Sequence, residues 1–246
     1  MVSSIHRILV TGSSGTIGTR LCPFMQSQGI LAVGYDRRPS SAFAPEYMAD
    51  INCLSMLKEA ACGVDTILHL AACSSDKASF DELIDSNVRA VYSILEVARQ
   101  AKVKRVILAS SIHAGGIPEQ GECHNINTRT PRSLYGCFKL HAEDLGQMYS
   151  RLHGLTVIAV RLGWYPRSWR EMDEVRDTMM GNTLYLSHRD ANECFLRCLQ
   201  QTAINSGVIY AVSKDGAGTT FEMNHTKQII DWEPRDSFPD GVMFDV

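Results

Sequence analysis

The 246-residue chain has no apolar run approaching the ~20 residues a spanning helix needs, so no membrane partner is expected. It has no excess of one charge. The 24 Lys and Arg against 27 Asp and Glu leave a net charge of -3, which gives no footprint for nucleic acid or for an acidic membrane surface. No solenoid-type repeat and no low-complexity segment is present. The eight cysteines, Cys22, Cys53, Cys62, Cys73, Cys123, Cys137, Cys194 and Cys198, include no C-x-x-C pair and no zinc spacing with histidine. They read as free thiols of a reducing cytoplasm, and no metal is expected. The start, MVSSIHRILV, runs directly into an apolar strand pattern and leaves no room for a signal peptide, so a cytoplasmic location is expected. What is present is ordinary for a globular chain: 45% hydrophobic and 21% charged residues, read as one domain spanning 1–246.

The informative stretch is ILVTGSSGTIG, Ile8 to Gly18. Three apolar residues read as a buried strand that runs into Gly12, Gly15 and Gly18, spaced G-x-x-G-x-x-G, and then into a helical pattern. This is the opening of a dinucleotide-binding βαβ unit. Glycine permits the tight turn and a close backbone approach to a pyrophosphate. The backbone around Thr16 and Ile17 then leads into a helix whose free N–H groups and positive dipole end favour phosphate. The second strand, Ile30 to Tyr35, ends at Asp36. A carboxylate there accepts hydrogen bonds from an adenosine ribose and repels a 2′-phosphate, which favours NAD over NADP, although Arg37 and Arg38 follow at once.

Further along, a short third strand is expected to end at Asp50-Ile51, with Asp50 either beside an adenine ring or capping the next helix. Thr66 to Leu70 reads as the fourth strand, and the small residues Ala71 and Ala72 after it let backbone lie close to a cofactor. One helix is expected over about Phe80 to Ala101. It carries Asn87, either a site residue or plain helix surface. Val106 to Ala109 is the fifth strand, ending at Ser110-Ser111. Strands alternating with helices through short connections imply an α/β, doubly wound parallel sheet, a Rossmann fold, with helices on both faces. A small C-terminal portion is left for substrate, with elements expected mainly in 164–190 and 207–246.

Tyr135 and Lys139 lie in SLYGCFKLHAEDLGQMY, which reads as a long helix. Four residues apart, they face the same way. With Ser111 at the end of the preceding strand, they form a catalytic set. A phenol with an ordinary pKa near ~10 is drawn toward working pH beside an ammonium and an oxidised nicotinamide, and can take a proton from a substrate hydroxyl. Lys139 supplies charge and a ribose contact, and Ser111 orients the reacting oxygen.

These motifs resemble the extended short-chain dehydrogenases/reductases. SSIHAGGIP at 110–118, VRLG at 160–163, LSHRDA at 186–191 and IIDWEP at 229–234 narrow the resemblance to bacterial NAD-dependent uronate dehydrogenases. The resemblance implies oxidation of the C1 hydroxyl of a hexuronic acid or related sugar to a lactone, with NAD as cofactor and a homodimer as the assembly. It implies Ser111, Tyr135 and Lys139 as the catalytic set, and Ser74, His113 and Arg170 as sugar contacts. A guanidinium suits a uronate carboxylate, and Arg170 follows an aromatic, Trp169, as the family's arginine does. It implies packing and capping, not catalysis, for His188 and Asp190. The cofactor contacts it implies are Gly12, Gly15, Thr16, Ile17, Gly18, Asp36, Asp50, Ile51, Leu70, Ala71, Ala72, Asn87, Tyr135 and Lys139.

The sequence departs from that pattern in three places. Ile112 replaces an asparagine, Trp164 replaces a small polar residue, and the chain ending at Val246 is expected to lack a C-terminal aromatic of the family's site. Two other functions share the core motifs: a nucleotide-sugar epimerase or dehydratase with tightly held NAD, and a dinucleotide-binding regulator without activity. The first needs a larger substrate lobe than the roughly 85 residues after Gly163 allow. The second commonly lacks the tyrosine or the lysine.

Overall fold

The computed structural model describes residues 7–201, 206–214 and 220–244. Its strands are β1 (Arg7–Thr11), β2 (Leu31–Asp36), β3 (Tyr47–Met48), β4 (Thr66–His69), β5 (Arg105–Ser111), β6 (Thr156–Leu162) and β7 (Ser206–Ala211). They form one sheet in the order β3-β2-β1-β4-β5-β6-β7, with every pairing parallel. The helices are α1 (Gly18–Ser27), α2 (Leu54–Ala60), α3 (Phe80–Leu83), α4 (Ala90–Gln100), α5 (Ile112–Gly115), α6 (Leu134–His153), α7 (Trp169–Asp177), α8 (Gly181–Leu184), α9 (His188–Gln200) and α10 (Met223–Ile230).

Side-chain alternation along the strands makes the three layers. Ile8 and Val10 of β1 pack with Leu21 and Met25 of α1 and Phe195 of α9 on one face. Leu9, between them, packs with Leu57 of α2, Leu95 of α4 and Ala142 of α6 on the other. A fully buried Leu or Ile contributes roughly 1.5–3 kcal/mol, so the two faces fix the register of every central strand. The chain moves outward from β1 through β2 to β3, then returns to place β4 on β1's other side. Strand order therefore reverses between β1 and β4, and the crevice outside their carboxyl ends is where this architecture takes ligands.

The structure differs from the sequence-based expectation at two elements. The third strand is only Tyr47–Met48, and Asp50 lies beyond it. The helix expected over 80–101 is three pieces, because Ile84–Arg89 between α3 and α4 is π-helical. The extra residue in that turn carries Asn87 inward, where it is buried. Its Oδ1 accepts the Cys73 N–H at 2.9 Å and its Nδ2 donates to the Cys73 carbonyl at 2.9 Å. The widened turn thus pins the loop leaving β4, a common place for a π-bulge to serve a site.

Candidate active site

The glycine turn is built by close approach. Gly12 sits at φ +75, and a Cβ there would lie 2.7 Å from the Ala71 nitrogen. A Cβ on Gly18 would lie 2.4 Å from the Gly12 carbonyl oxygen, so only glycine lets α1 begin this close to β1. At Gly15 the Gly12 backbone is all that a Cβ would meet among the described residues, at 3.1 Å, so the turn is open above it. The helix start at Ile17 has no side-chain cap and no acidic residue in its first turn, so no side chain offsets the positive helix end that a phosphate would meet. These features fit the pyrophosphate of NAD.

Asp36 ends β2 as expected and is buried. Its Oδ2 accepts the Ser14 N–H at 3.0 Å and its Oδ1 accepts the Arg38 N–H at 3.0 Å, which ties the glycine turn to the next loop. A carboxylate has about four lone-pair sites, so two remain for ribose hydroxyls. Asp50 neither ends a strand nor caps α2, whose N-cap is Cys53. Its Oδ1 accepts the Asn52 N–H at 2.9 Å, a local Asx turn that competes successfully with capping, and its carbonyl accepts the Tyr35 hydroxyl at 2.8 Å. Ile51 packs against the inner core beside it. Leu70, Ala71 and Ala72 leave β4 beside the turn, with the Leu70 N–H donating to the Thr11 carbonyl at 3.0 Å.

Ser111 ends β5 and caps α5, its Oγ accepting the His113 N–H at 3.2 Å. Ser133 caps α6 and starts the helix that carries Tyr135 and Lys139 inward, both buried. The Lys139 ammonium lies 5.5 Å from the Tyr135 ring centre and donates to the Ala109 carbonyl at 2.7 Å. The His113 ring meets the Tyr135 ring edge-on at 5.7 Å. The predicted catalytic set is thus gathered at the carboxyl end of β5.

Burial dominates the electrostatics of the cluster. Burial pushes the Tyr135 phenol up to about 12, a Ser111 hydrogen bond pulls it down, and Cys73 and Asp76 push it up again. Burial lowers the Lys139 ammonium to about 8, against the opposing fields of Glu143 and Cys73. Burial, helped by Lys139, lowers the His69 imidazole to about 3. Its Nδ1 hydrogen-bonds Thr11 Oγ1 at 2.7 Å.

The residues expected from resemblance to touch sugar separate into two groups. His113 is at the site. Ser74 lies exposed on the loop leaving β4. Arg170 is not brought to Tyr135: its side chain is 88% exposed on α7 and pairs with Glu174 at 3.2 Å. The reason is local, since Arg170 and Glu174 are i,i+4 neighbours on a surface helix. Ile112 is buried with Leu184, Tyr210, Val212 and Phe221, and Trp164 packs against that cluster. Phe244 packs on Trp169 at 4.8 Å and His188 at 5.0 Å, with the Arg20 guanidinium 5.9 Å from its ring. His188 hydrogen-bonds the Pro166 carbonyl and accepts the Met243 N–H, while Ser187 caps α9 and Asp190 holds the Arg235 and Asp236 N–H groups.

Sequence reasoning missed the support beneath the site. Glu143 and Arg161 form a fully buried ion pair, joined by Ser110 Oγ donating to Glu143 at 2.6 Å and by the Tyr210 hydroxyl at 2.9 Å from Arg161 Nη1. Glu143 follows Lys139 by four residues as Lys139 follows Tyr135, and that spacing was the available signal. Among the described residues no three His, Cys, Asp or Glu side chains gather as a metal site, and no helix is long and apolar enough to cross a membrane.

Comparison with known proteins agrees with this geometry. Uronate dehydrogenase of Pseudomonas syringae pv. tomato is 29% identical over 240 residues, covering 94% of this chain and 82% of that protein. L-arabinose 1-dehydrogenase (NAD(P)(+)) of Haloferax volcanii is 25% identical over 256 residues, covering 94% and 97%. The fold is shared with a crystal structure of a mutant uronate dehydrogenase from Agrobacterium tumefaciens complexed with NAD. The TM-score is 0.81 at 23% identity, covering 95% of this chain and 86% of that one. The model of the NAD dependent epimerase/dehydratase family matches residues 8–165, from β1 to the loop after β6. That span holds the glycine turn, Asp36 and the Ser111, Tyr135 and Lys139 cluster, and the chain therefore belongs to the NAD dependent epimerase/dehydratase family, as an NAD-dependent enzyme of the short-chain dehydrogenase/reductase superfamily.

Proposed function

We propose that the protein is a dehydrogenase that oxidises the anomeric hydroxyl of a hexuronic acid or related cyclic sugar to the lactone. The observation that carries this reading is the buried Tyr135, hydrogen-bonded with Ser111 and overlain by the Lys139 ammonium at 5.5 Å. Bound NAD supplies the hydride acceptor and a positive ring. Burial pushes the phenol up to about 12, and positive charge beside it favours the phenolate that takes the proton. Ser111 then holds the anomeric oxygen by a hydrogen bond. Tyr135 takes its proton, the C–H electron pair leaves as hydride, and the ring carbon becomes the lactone carbonyl. Lys139 keeps the phenolate paired once it forms. Substrate elements are assigned to 164–190 and 207–246, the assembly to a homodimer and the location to the cytoplasm.

The test is absorbance at 340 nm with sugars and NAD. Net NADH formation supports the reading. Turnover of a UDP-sugar with no net NADH would make the protein an epimerase or dehydratase, and binding of NAD with no turnover of any sugar would make it a regulator.

A further inference from the structure

We infer that Ser110 and Glu143 are positioning residues for the reaction: through the Ser110 hydroxyl, the Glu143–Arg161 pair fixes the end of β5 that holds the Lys139 ammonium. This rests on the dehydrogenase reading above and adds two residues to its site, both acting through Lys139 and Ser111. Lys139 carries its charge on a flexible four-carbon stem, so the place of the ammonium is set by what it is bonded to. It donates to the Ala109 carbonyl at 2.7 Å, and it then lies 5.5 Å from the Tyr135 ring centre. Ala109, Ser110 and Ser111 are the last three residues of β5. A shift of that strand end therefore moves the ammonium's acceptor on one side of Ser110 and the Ser111 hydroxyl on the other.

One connected group of side chains holds that strand end. Ser110 lies opposite Arg161 of β6 in the sheet register, and Glu143 of α6 bonds both. Ser110 Oγ donates to Glu143 Oε1 at 2.6 Å, Arg161 Nε donates to the same oxygen at 2.9 Å, and Arg161 Nη2 donates to Glu143 Oε2 at 2.9 Å. Arg161 is anchored in turn to the Tyr210 hydroxyl of β7 at 2.9 Å and to the Thr128 carbonyl at 3.1 Å. Ser110, Glu143 and Arg161 are all buried, so water does not compete for these bonds. A buried ion pair is costly to desolvate, and apolar side chains of similar volume pack as well or better. The grip on Ser110 is what such an apolar pair would lack. Glu143 also follows Lys139 by one helical turn, and its negative field opposes the burial that lowers the Lys139 ammonium to about 8. The other titratable groups around the ammonium are Tyr135 on α6, His69 on β4 and Cys73 on the loop after it.

The experiment compares Ser110→Ala, which removes the grip and keeps the charge, with Glu143→Gln, which keeps an acceptor for Ser110 and removes the charge. Two quantities are read on protein shown to be folded by circular dichroism. One is the Lys139 titration midpoint, from NMR of carbon-13-labelled lysine with Lys139→Arg assigning the signal. The other is single-turnover NADH formation at saturating NAD and sugar. The midpoint is expected to fall by about half a pH unit or more in both variants. In Ser110→Ala the carbonyl that favours the charged form is no longer held, and in Glu143→Gln an opposite charge is gone. The rate falls by about tenfold or more in each, as a misplaced catalytic group would make it. Ser110→Ala decides alone if Glu143→Gln does not fold. A Ser110→Ala midpoint within about 0.2 units of wild type, or a rate within about threefold, overturns the inference and leaves the dehydrogenase reading intact. No NADH from any sugar with the wild-type protein overturns the dehydrogenase reading and, with it, any role for these residues in that reaction.

Discussion

Replacing Glu143 with alanine removes three hydrogen bonds at once. The carboxylate accepts from Arg161 Nε at 2.9 Å, from Arg161 Nη2 at 2.9 Å and from Ser110 Oγ at 2.6 Å. The guanidinium, fully buried, would keep the Tyr210 hydroxyl at 2.9 Å and the Thr128 carbonyl at 3.1 Å, neither of which carries an opposing charge. Removing one partner of a buried pair costs about 3–5 kcal/mol, chiefly because the remaining charge is left desolvated. At this chain length each kcal/mol shifts Tm by roughly 2–4 °C, so a fall of about 6–20 °C is expected. Circular dichroism melts of Glu143→Ala, Arg161→Met and the Glu143→Met, Arg161→Met double variant measure it. Each single variant falls, and the double variant recovers much of the loss because no charge remains buried. A Glu143→Ala Tm within about 2 °C of wild type would refute the view that this pair supports the site. A double variant no better than either single would refute the desolvation argument.

Three other outcomes follow from the same coordinates. Asp36→Ala frees the Ser14 and Arg38 N–H groups and removes the charge facing a 2′-phosphate, so the ratio of NADP to NAD efficiency rises by about tenfold or more, and an unchanged ratio would contradict the placement. Gly18→Ala drives a methyl to 2.4 Å from the Gly12 carbonyl and weakens NAD binding by about a hundredfold or more in calorimetry, whereas a wild-type Kd would show the turn adapts. His69 is held at about 3 against an ordinary 6.5, so the unfolded chain binds more protons between those values and stability falls as pH drops through that window. Urea midpoints should show a loss of about 2 kcal/mol from this group between pH 7 and pH 5, and His69→Gln should remove that part of the pH dependence.

The nucleotide half of the fold was legible because its signals are local. A strand, three glycines and Asp36 fall within the first 36 residues, and each glycine's role is steric. Tyr135 and Lys139 were legible for a similar reason, since four-residue spacing on a capped helix fixes a shared face. Asn87 and Asp50 were half-legible. A π-helical turn changes which face a residue presents, and an Asx turn competes with a helix cap, and neither has a clear pattern in one sequence. Arg170 lies exposed on α7 and pairs with Glu174 one turn on, a pairing its four-residue spacing allows but does not require. Phe244 and the Glu143–Arg161 pair depend on contacts between residues far apart in the chain, which periodicity does not report.

The most direct measurement is single-turnover NADH formation by Tyr135→Phe, with NAD affinity measured on the same preparation. The phenylalanine ring fills the same buried space but has no proton to exchange. The rate should fall by about a thousandfold or more while the Kd for NAD stays within about threefold of wild type. A rate within a few-fold of wild type would show that some other group removes the substrate's proton.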